Sequence, residues 1–203
     1  MSERPAPHEE RARERCLVTG ATGFIGAHLA ARLVHEGYPV RCLARARSGT
    51  ASLAKLDVQI VRGDLTDAPS LARAAAGCRH VLHCAALVSD WATRKEVTAA
   101  NVAGTRSLLD ACADTSVARF VHFSTTDVYG HPGGANVDET HARTRFANWY
   151  AQTKLDAEAE VHQVRLAGGL DAVILRPATV YGPGSKDVIG EIARAILGGR
   201  MVL

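Results

Sequence analysis

The sequence predicts an α/β fold, a doubly wound parallel sheet with helices on both faces. Three observations predict it. Short apolar runs alternate with helical patterns along the chain. The runs are continuous rather than alternating, which suits strands covered on both faces. A glycine run, Thr19-Gly20-Ala21-Thr22-Gly23-Phe24-Ile25-Gly26, joins the first strand to the first helix. In such a sheet the ligand crevice lies at the carboxyl ends of the strands, where strand order reverses.

Cys16 to Thr19 is the first strand, and Ile25 to Glu36 the first helix, stopped by Gly37. Tyr38 to Ala44 is the second strand; a short helix over Ser52 to Leu56 precedes a third, Val58 to Arg62. Asp67 caps the next helix, which runs to Ala76. His80 to Ala85 is the fourth strand, followed by a long helix from Thr93 to Asp114. Arg119 to Ser124 is the fifth strand, Asn148 to Ala167 a helix, Leu170 to Leu175 the sixth strand and Asp187 to Leu197 the last helix. The stretch from Asp127 to Ala147 lacks periodicity and makes a loop of roughly 20 residues, a length that in a compact domain points to function. It leads into the helix carrying Tyr150 and is expected to be an active-site flap, mobile without substrate.

A chain of 203 residues suits one domain, or one plus a fragment of a second. Residues 1–14 are charged, with Glu3, Glu9, Glu10 and Glu14 interleaved among arginines. They read as a disordered, solvated tail rather than a nucleic-acid arm or a secretory leader; residues 15–203 form the folded domain. A net charge of +3 is too mild to argue for nucleic acid or another polyanion. No apolar run reaches the roughly 18 residues of a membrane span. Five cysteines, an odd count with no CxxC pair, read as reduced thiols in a cytoplasmic protein. No metal is expected. His83 and Cys84, the nearest thing to a ligand pair beside His80, are adjacent on a strand and point to opposite faces.

Gly20, Gly23 and Gly26 follow a strand and open a helix, the setting in which such glycines hold a dinucleotide. A Cβ at Gly20 would block the tight turn, one at Gly23 would keep backbone from the pyrophosphate, and one at Gly26 would push the helix off the sheet. Thr22, Phe24 and Ile25 complete the turn, and the amides of the helix N-terminus face the phosphates. The second strand ends in Arg45, with no nearby acid to bind a ribose 2′-hydroxyl. A guanidinium there suits a 2′-phosphate, so NADP is favoured over NAD. Asp64 ends the third strand on the adenine side, where it can accept the adenine amino hydrogen.

Tyr150 and Lys154 share one helix face. A free tyrosine titrates near pH 10, and a nearby ammonium is expected to lower that value and ready the phenol for proton exchange. Lys154 can also hold the nicotinamide ribose. Ser124 and Thr125 end the fifth strand at the crevice, where a hydroxyl can donate to a substrate oxygen while Tyr150 exchanges its proton.

Taken together, the glycine run, Gly63-Asp64-Leu65, His83-Cys84-Ala85-Ala86, Asn101 to Thr105, Ser124 to Gly130, Tyr150 to Lys154 and Arg176 to Pro183 resemble the extended short-chain dehydrogenase/reductases, also called the NAD-dependent epimerase/dehydratase family. The resemblance implies the Rossmann form of the fold and gives Thr125 the catalytic Ser/Thr position. It puts Leu65 with Asp64 on the cofactor, Ala85 and Ala86 along the nicotinamide side, and Pro177 where backbone closes over the nicotinamide. Asn101 looks like the family's structural or cofactor-side asparagine. The sugar dehydratases of the family carry an Asp-Glu pair after the catalytic Thr; Thr126 and Asp127 stand there, which disfavours water elimination. The second strand's arginine and the Ala-Leu-Val-Ser-Asp segment look closer to the reductase and hydroxysteroid-dehydrogenase branch. Family members run well past this length, so much of the substrate-binding C-terminal part is expected to be absent.

The chain is therefore expected to be an NAD(P)-dependent oxidoreductase acting on a small-molecule carbonyl or secondary alcohol. The alternatives are an epimerase that turns over a sugar nucleotide on a retained NAD, and a non-catalytic dinucleotide sensor. A homodimer is left open.

Overall fold

The computed structural model describes residues 14–89, 91–113, 115–130, 136–144, 148–185 and 188–199. The tail over residues 1–13, Asp114, Asp187 and the last residues from 200 onward lie outside the described residues. Six strands, β1 (Cys16–Thr19), β2 (Val40–Ala44), β3 (Val58–Arg62), β4 (His80–His83), β5 (Arg119–Phe123) and β6 (Ala172–Leu175), form one parallel sheet in the order β3-β2-β1-β4-β5-β6. Strand order reverses between β1 and β4. That junction is where the carboxyl ends of two strands diverge and leave a crevice.

Helices cover both faces. On one side α1 (Phe24–His35) lies over Val18, Val40 and Cys42. On the other, α2 (Ala68–Ala75), α4 (Gly104–Ala113) and α5 (Trp149–Leu166) enclose Leu17, Leu71, Leu108, Leu109, Phe120 and Val161. Leu17 and Val18 are neighbours in β1 and fully buried in different clusters, as residues on opposite faces of a strand must be. A last helix, α6, spans Val188–Leu197.

Arg41 lies in the middle of β2 and is only 7% exposed. Its Nη1 donates to the carbonyls of Ala74 and Ala76, each at 2.7 Å, and its Nε to the Gln59 side chain at 2.9 Å. The charge sits at the C-terminal end of α2, where carbonyls lack intrahelical donors and the helix dipole is negative. An arginine thus stands in for the apolar residue this strand position would otherwise take.

β2 and β6 each start two residues later than expected, at Val40 and Ala172, and two helical segments differ in kind. No helix forms over Ser52 to Leu56; Leu53 N and Ala54 N both donate to Thr50 O, a single turn that buries Leu53. Five residues cannot offset the cost of helix nucleation. The long helix after β4 is interrupted. It consists of α3 (Arg94–Thr98), a π-helical turn (Ala99–Ala103) and α4. Thr93 and Glu96 close a capping box at its start. The expected flap falls partly on residues 131–135 and 145–147, outside the described residues. Thr126–Tyr129 form a 3-10 turn, and Thr144 N donates to Val128 O at 2.9 Å.

His122 on β5 is fully buried, and both ring nitrogens lack a partner among the described residues. Burial, helped by the charge of Lys154, holds its pKa well below the ordinary histidine value. The folded chain keeps this ring neutral while the unfolded chain lets it take a proton. Its share of stability is therefore intact above about pH 6.5 and is lost as pH falls below that. In urea unfolding, His122→Leu is expected to flatten the decline of stability between about pH 6 and 4 by up to ~1.4 kcal/mol per pH unit. Parallel declines in parent and variant would contradict this.

Candidate active site

The β1–α1 turn is built without side chains. Gly20 has φ +69°, in the left-handed region that favours glycine, and a Cβ there would lie 2.7 Å from the Ala85 backbone nitrogen. The exit of β1 thus rests directly on the backbone leaving β4. That contact ends β4 at His83, short of the Ala85 read from the sequence. A Cβ on Gly26 would run into the Gly20 carbonyl. Gly26 therefore lets α1 seat closely on the backbone leaving β1, where a side chain would push the helix away. Gly23 caps α1 with no side-chain hydrogen bond, and no acid stands in the first turn. A helix start with uncapped N–H groups and no opposing carboxylate fits a bound pyrophosphate.

Two hollows meet at this turn. One, of about 400 Å³, is lined by Gly20, Thr22, Gly23, Arg45, Asp64, Leu65, Ala85 and Ala86, with Ser48, Cys84 and Leu87 beside them. The other, of about 510 Å³, is lined by Gly20, Gly23, Phe24, Ile25, Gly26, Ala86, Thr125, Tyr150, Lys154 and Pro177, with Cys84 and Ser124. Gly20, Gly23, Cys84 and Ala86 belong to both. One long ligand can therefore lie across the glycine turn, with one end among the basic residues after β2 and the other at Tyr150.

Asn101 lines neither hollow. It is 2% exposed in the π-helical turn. Its Oδ1 accepts from Leu87 N at 2.6 Å; its Nδ2 donates to Leu87 O and to Thr153 Oγ1, both at 3.1 Å. With both amide hydrogens committed, Asn101 is a clamp between the segment after β4 and the helix turn bearing Lys154, rather than a direct cofactor ligand. A second buried chain starts beside it. Thr105 Oγ1 donates to Asn101 O at 2.6 Å, so it must accept from His83 Nε2 at 2.9 Å. That fixes the His83 tautomer and leaves Nδ1 to accept from Thr19 Oγ1 at 2.7 Å. The Thr19 oxygen accepts in turn from Ala85 N at 3.2 Å. Burial holds His83 down to about 3, with the Lys154 charge adding to the shift, so the ring stays neutral.

Asn148 caps α5, accepting from Tyr150 N at 2.8 Å. Tyr150 and Lys154 follow on the first turns. Lys154 is 2% exposed. Burial pulls its ammonium down to about 8, opposed in part by Cys84 and Glu158. The Tyr150 phenol lies above its ordinary value, chiefly through burial and then through the Asp127 carboxylate. Lys154, expected from its spacing to lower that phenol, is not among the groups that shift it. Thr125 Oγ1 accepts from Asp127 N at 3.2 Å at the start of the 3-10 turn. Asp64 Oδ1 accepts from the backbone and hydroxyl of Thr66, at 2.9 and 2.8 Å, so one of its oxygens is committed to a local turn.

Residues 16–203 match the NAD dependent epimerase/dehydratase family. The chain belongs to that family. It is 36% identical over 186 residues to a 4-hydroxy-2-methyl-3-oxo-4-farnesyl-3,4-dihydroquinoline-1-oxide ketoreductase of Stigmatella aurantiaca, covering 90% of this chain and 55% of that protein. It is 34% identical over 198 residues to a 3 beta-hydroxysteroid dehydrogenase/Delta 5→4-isomerase of Mycobacterium tuberculosis, covering 92% and 52%. The chain thus spans about half the length of the curated relatives it matches. Among solved structures, a short-chain dehydrogenase/reductase superfamily protein of Agrobacterium tumefaciens with bound NAD superposes with a TM-score of 0.72 at 36% identity, covering 80% of this chain and 48% of that one. A dTDP-glucose 4,6-dehydratase of Streptomyces venezuelae with NAD bound gives 0.83 at 31% identity, covering 91% and 62%.

In this family member a further set of residues supports the site. Glu158 is fully buried one helical turn past Lys154. Arg176 grips it through Nε at 2.9 Å and Nη2 at 2.8 Å, and donates to Tyr129 OH at 2.7 Å. Burial pushes the Glu158 carboxyl up, and the Arg176 fork, with Ser124 and the Arg143 charge, more than reverses this, leaving it below the ordinary glutamate value. Glu158 was not singled out from the sequence; its i, i+4 spacing from Lys154 is the signal that marks it. Nothing local marked His83, Thr105 and Thr19 as one chain, because their contacts join three distant elements.

The folded state holds the Lys154 proton less tightly than the unfolded chain. Its charge therefore costs stability at pH 7, and the cost fades as pH rises from about 8 toward the ordinary lysine value of 10.5. Lys154→Met should accordingly stabilise the chain at pH 7 by on the order of 1–3 kcal/mol, seen as a higher urea midpoint. A lower midpoint would show that Lys154 is held by compensating contacts instead.

Proposed function

We propose that the chain is the cofactor-binding and catalytic part of an NAD(P)-dependent oxidoreductase that moves a hydride between nicotinamide and a carbonyl or secondary-alcohol carbon of a small molecule. The meeting of Thr125, Tyr150 and Lys154 with the glycine turn on one crevice carries this function. Bound nicotinamide supplies or accepts the hydride. The chain's own residues handle the proton and the charge developing on oxygen. Tyr150 gives its phenolic proton to the substrate oxygen in reduction and takes it back in oxidation. Burial and Asp127 keep that phenol protonated, which is the form reduction starts from. The Thr125 oxygen is engaged with Asp127 N, which leaves its hydroxyl hydrogen for the same substrate oxygen. Lys154, an ammonium at neutral pH, suits the ribose hydroxyls.

The relatives named for ketone reduction and hydroxysteroid oxidation support a ketone or its alcohol as substrate. NADP is the preferred cofactor, because Arg45, Arg47 and Arg62 gather beyond the end of β2 where a 2′-hydroxyl reader would need an acid. NAD bound in related crystal structures keeps NAD as the alternative. An epimerase on retained cofactor remains the second function, favoured by the structural likeness to a UDP-glucuronic acid 4-epimerase of Bacillus cereus at 28% identity; it would consume no NADPH. A sensor would not need the three catalytic side chains. The buried thiols suit a reducing compartment, the cytoplasm.

With NADPH and a ketone that the parent reduces, Tyr150→Phe should cut turnover by about 10² to 10⁴ while leaving cofactor affinity intact. Thr125→Ala should slow turnover and Thr125→Ser retain most of it. Parent-rate reduction by Tyr150→Phe would remove Tyr150 as the proton donor. In fluorescence titrations the parent should bind NADPH more tightly than NADH, and Arg45→Ala should erase the difference. Equal affinities in the parent would leave NAD as the cofactor.

A further inference from the structure

We propose that Arg62, at the end of β3, is the positioning residue that holds the Arg45–Ser48 loop in the shape that discriminates a ribose 2′-phosphate from a 2′-hydroxyl. This rests on the NADP preference proposed above. Arg62 pairs in register with Ala44, the last residue of β2, and Gly63 N donates to Ala44 O at 3.2 Å. The two strand ends are therefore fixed to one another where the loop begins. The Arg62 guanidinium then reaches over the loop. Its Nη1 donates to Arg45 O at 2.9 Å and to Ser48 O at 3.3 Å. Ser48 N closes the turn on Arg45 O at 3.0 Å.

The chemistry of the hollow gives this brace a purpose. About 660 Å³ is bounded by Arg45, Arg47, Ser48, Arg62, Asp64 and Asp67. Its two acids are engaged locally, Asp64 Oδ1 by Thr66 and Asp67 Oδ1 by Ser70 N. The guanidinium groups of Arg45 and Arg47 make no hydrogen bond among the described residues, and Arg45 acts on Asp64 by charge alone. A phosphate dianion is bound by guanidinium forks whose backbone is fixed, and it is repelled by carbonyl lone pairs. Arg62 addresses both. It ties down the backbone that aims Arg45, and it covers two carbonyl oxygens with positive charge on the side where the phosphate would approach. A 2′-hydroxyl gains little from either effect. The loss of Arg62 should therefore appear as a change in the ratio of the two affinities rather than in their common level.

The test is fluorescence titration of the chain with NADPH and NADH, for the parent, Arg62→Ala, Arg62→Lys and Arg45→Ala, with hydrogen exchange of residues 46–49 alongside. Arg62→Ala is expected to weaken NADPH about tenfold and NADH by less than about twofold, the size of two hydrogen bonds from a charged donor at an exposed site. Arg62→Lys should recover part of the preference, since an ammonium can donate to both carbonyls. Exchange at residues 46–49 should quicken in Arg62→Ala and stay unchanged in Arg45→Ala. A preference erased by Arg45→Ala but kept by Arg62→Ala would overturn the Arg62 assignment alone. Equal weakening of both cofactors by Arg62→Ala would also overturn it, by reducing Arg62 to general support. Absence of any preference in the parent would remove the NADP function and this assignment together.

Discussion

Backbone rests on backbone where Gly20 meets Cys84 and Ala85, with no room for a Cβ between them. Much of the site follows from that approach. Ala85 N–H is turned out of the sheet and needs an acceptor, which the Thr19 hydroxyl provides. Thr19 must then pass its own hydrogen to His83, and His83 must be neutral to accept it. Burial ensures this. The chain of donors runs on through Thr105 to the Asn101 carbonyl, inside the one turn of π-helix described between α3 and α4. Asn101 uses its side chain to hold Leu87 and Thr153. The glycine turn and the helix that carries Tyr150 and Lys154 are thus linked by buried hydrogen bonds, not merely placed near one another. Such π turns recur at functional sites because the extra residue re-aims side chains around it.

Lys154 shows what this arrangement costs. A buried ammonium holds its proton less tightly than usual, and the carboxylate that offsets this, Glu158, is already gripped by Arg176. A folded chain with no catalytic task would gain by replacing it. The same frame keeps Tyr150 protonated through burial and Asp127, an arrangement suited to delivering a proton to a reduced carbonyl oxygen.

The βα rhythm, the glycine turn and the Tyr150–Lys154 pair were legible because each is a local pattern: a continuous apolar run, a spacing of residues that must lack Cβ, an i, i+4 face. The boundaries of β4 were less so, because the Gly20 contact that ends the strand lies outside its own sequence. The helix expected at Ser52–Leu56 failed because propensity over five residues is weaker than the pull of buried Leu53 and the start of β3. The π turn was hidden in a good helical pattern. Nothing in β2 itself marks Arg41 as buried, because the C-terminal carbonyls of α2 that hold it lie outside its own strand. The effect of Lys154 on Tyr150 was inferred from spacing alone, which gives proximity along a helix but neither burial nor the carboxylate of Asp127.

The central claim is that one dinucleotide spans both hollows, bridging the glycine turn to the Tyr150 side. Hydrogen exchange in the presence of intact NADPH, of 2′,5′-ADP and of nicotinamide mononucleotide tests it most directly. Intact NADPH should slow exchange in residues 20–26 and, in the same titration, in residues 124–127 and 178–180. The adenosine fragment should protect only the first of these together with residues 45–49. Intact cofactor that protects the glycine turn while leaving residues 124–127 and 178–180 at the rate of the ligand-free chain would contradict the shared crevice.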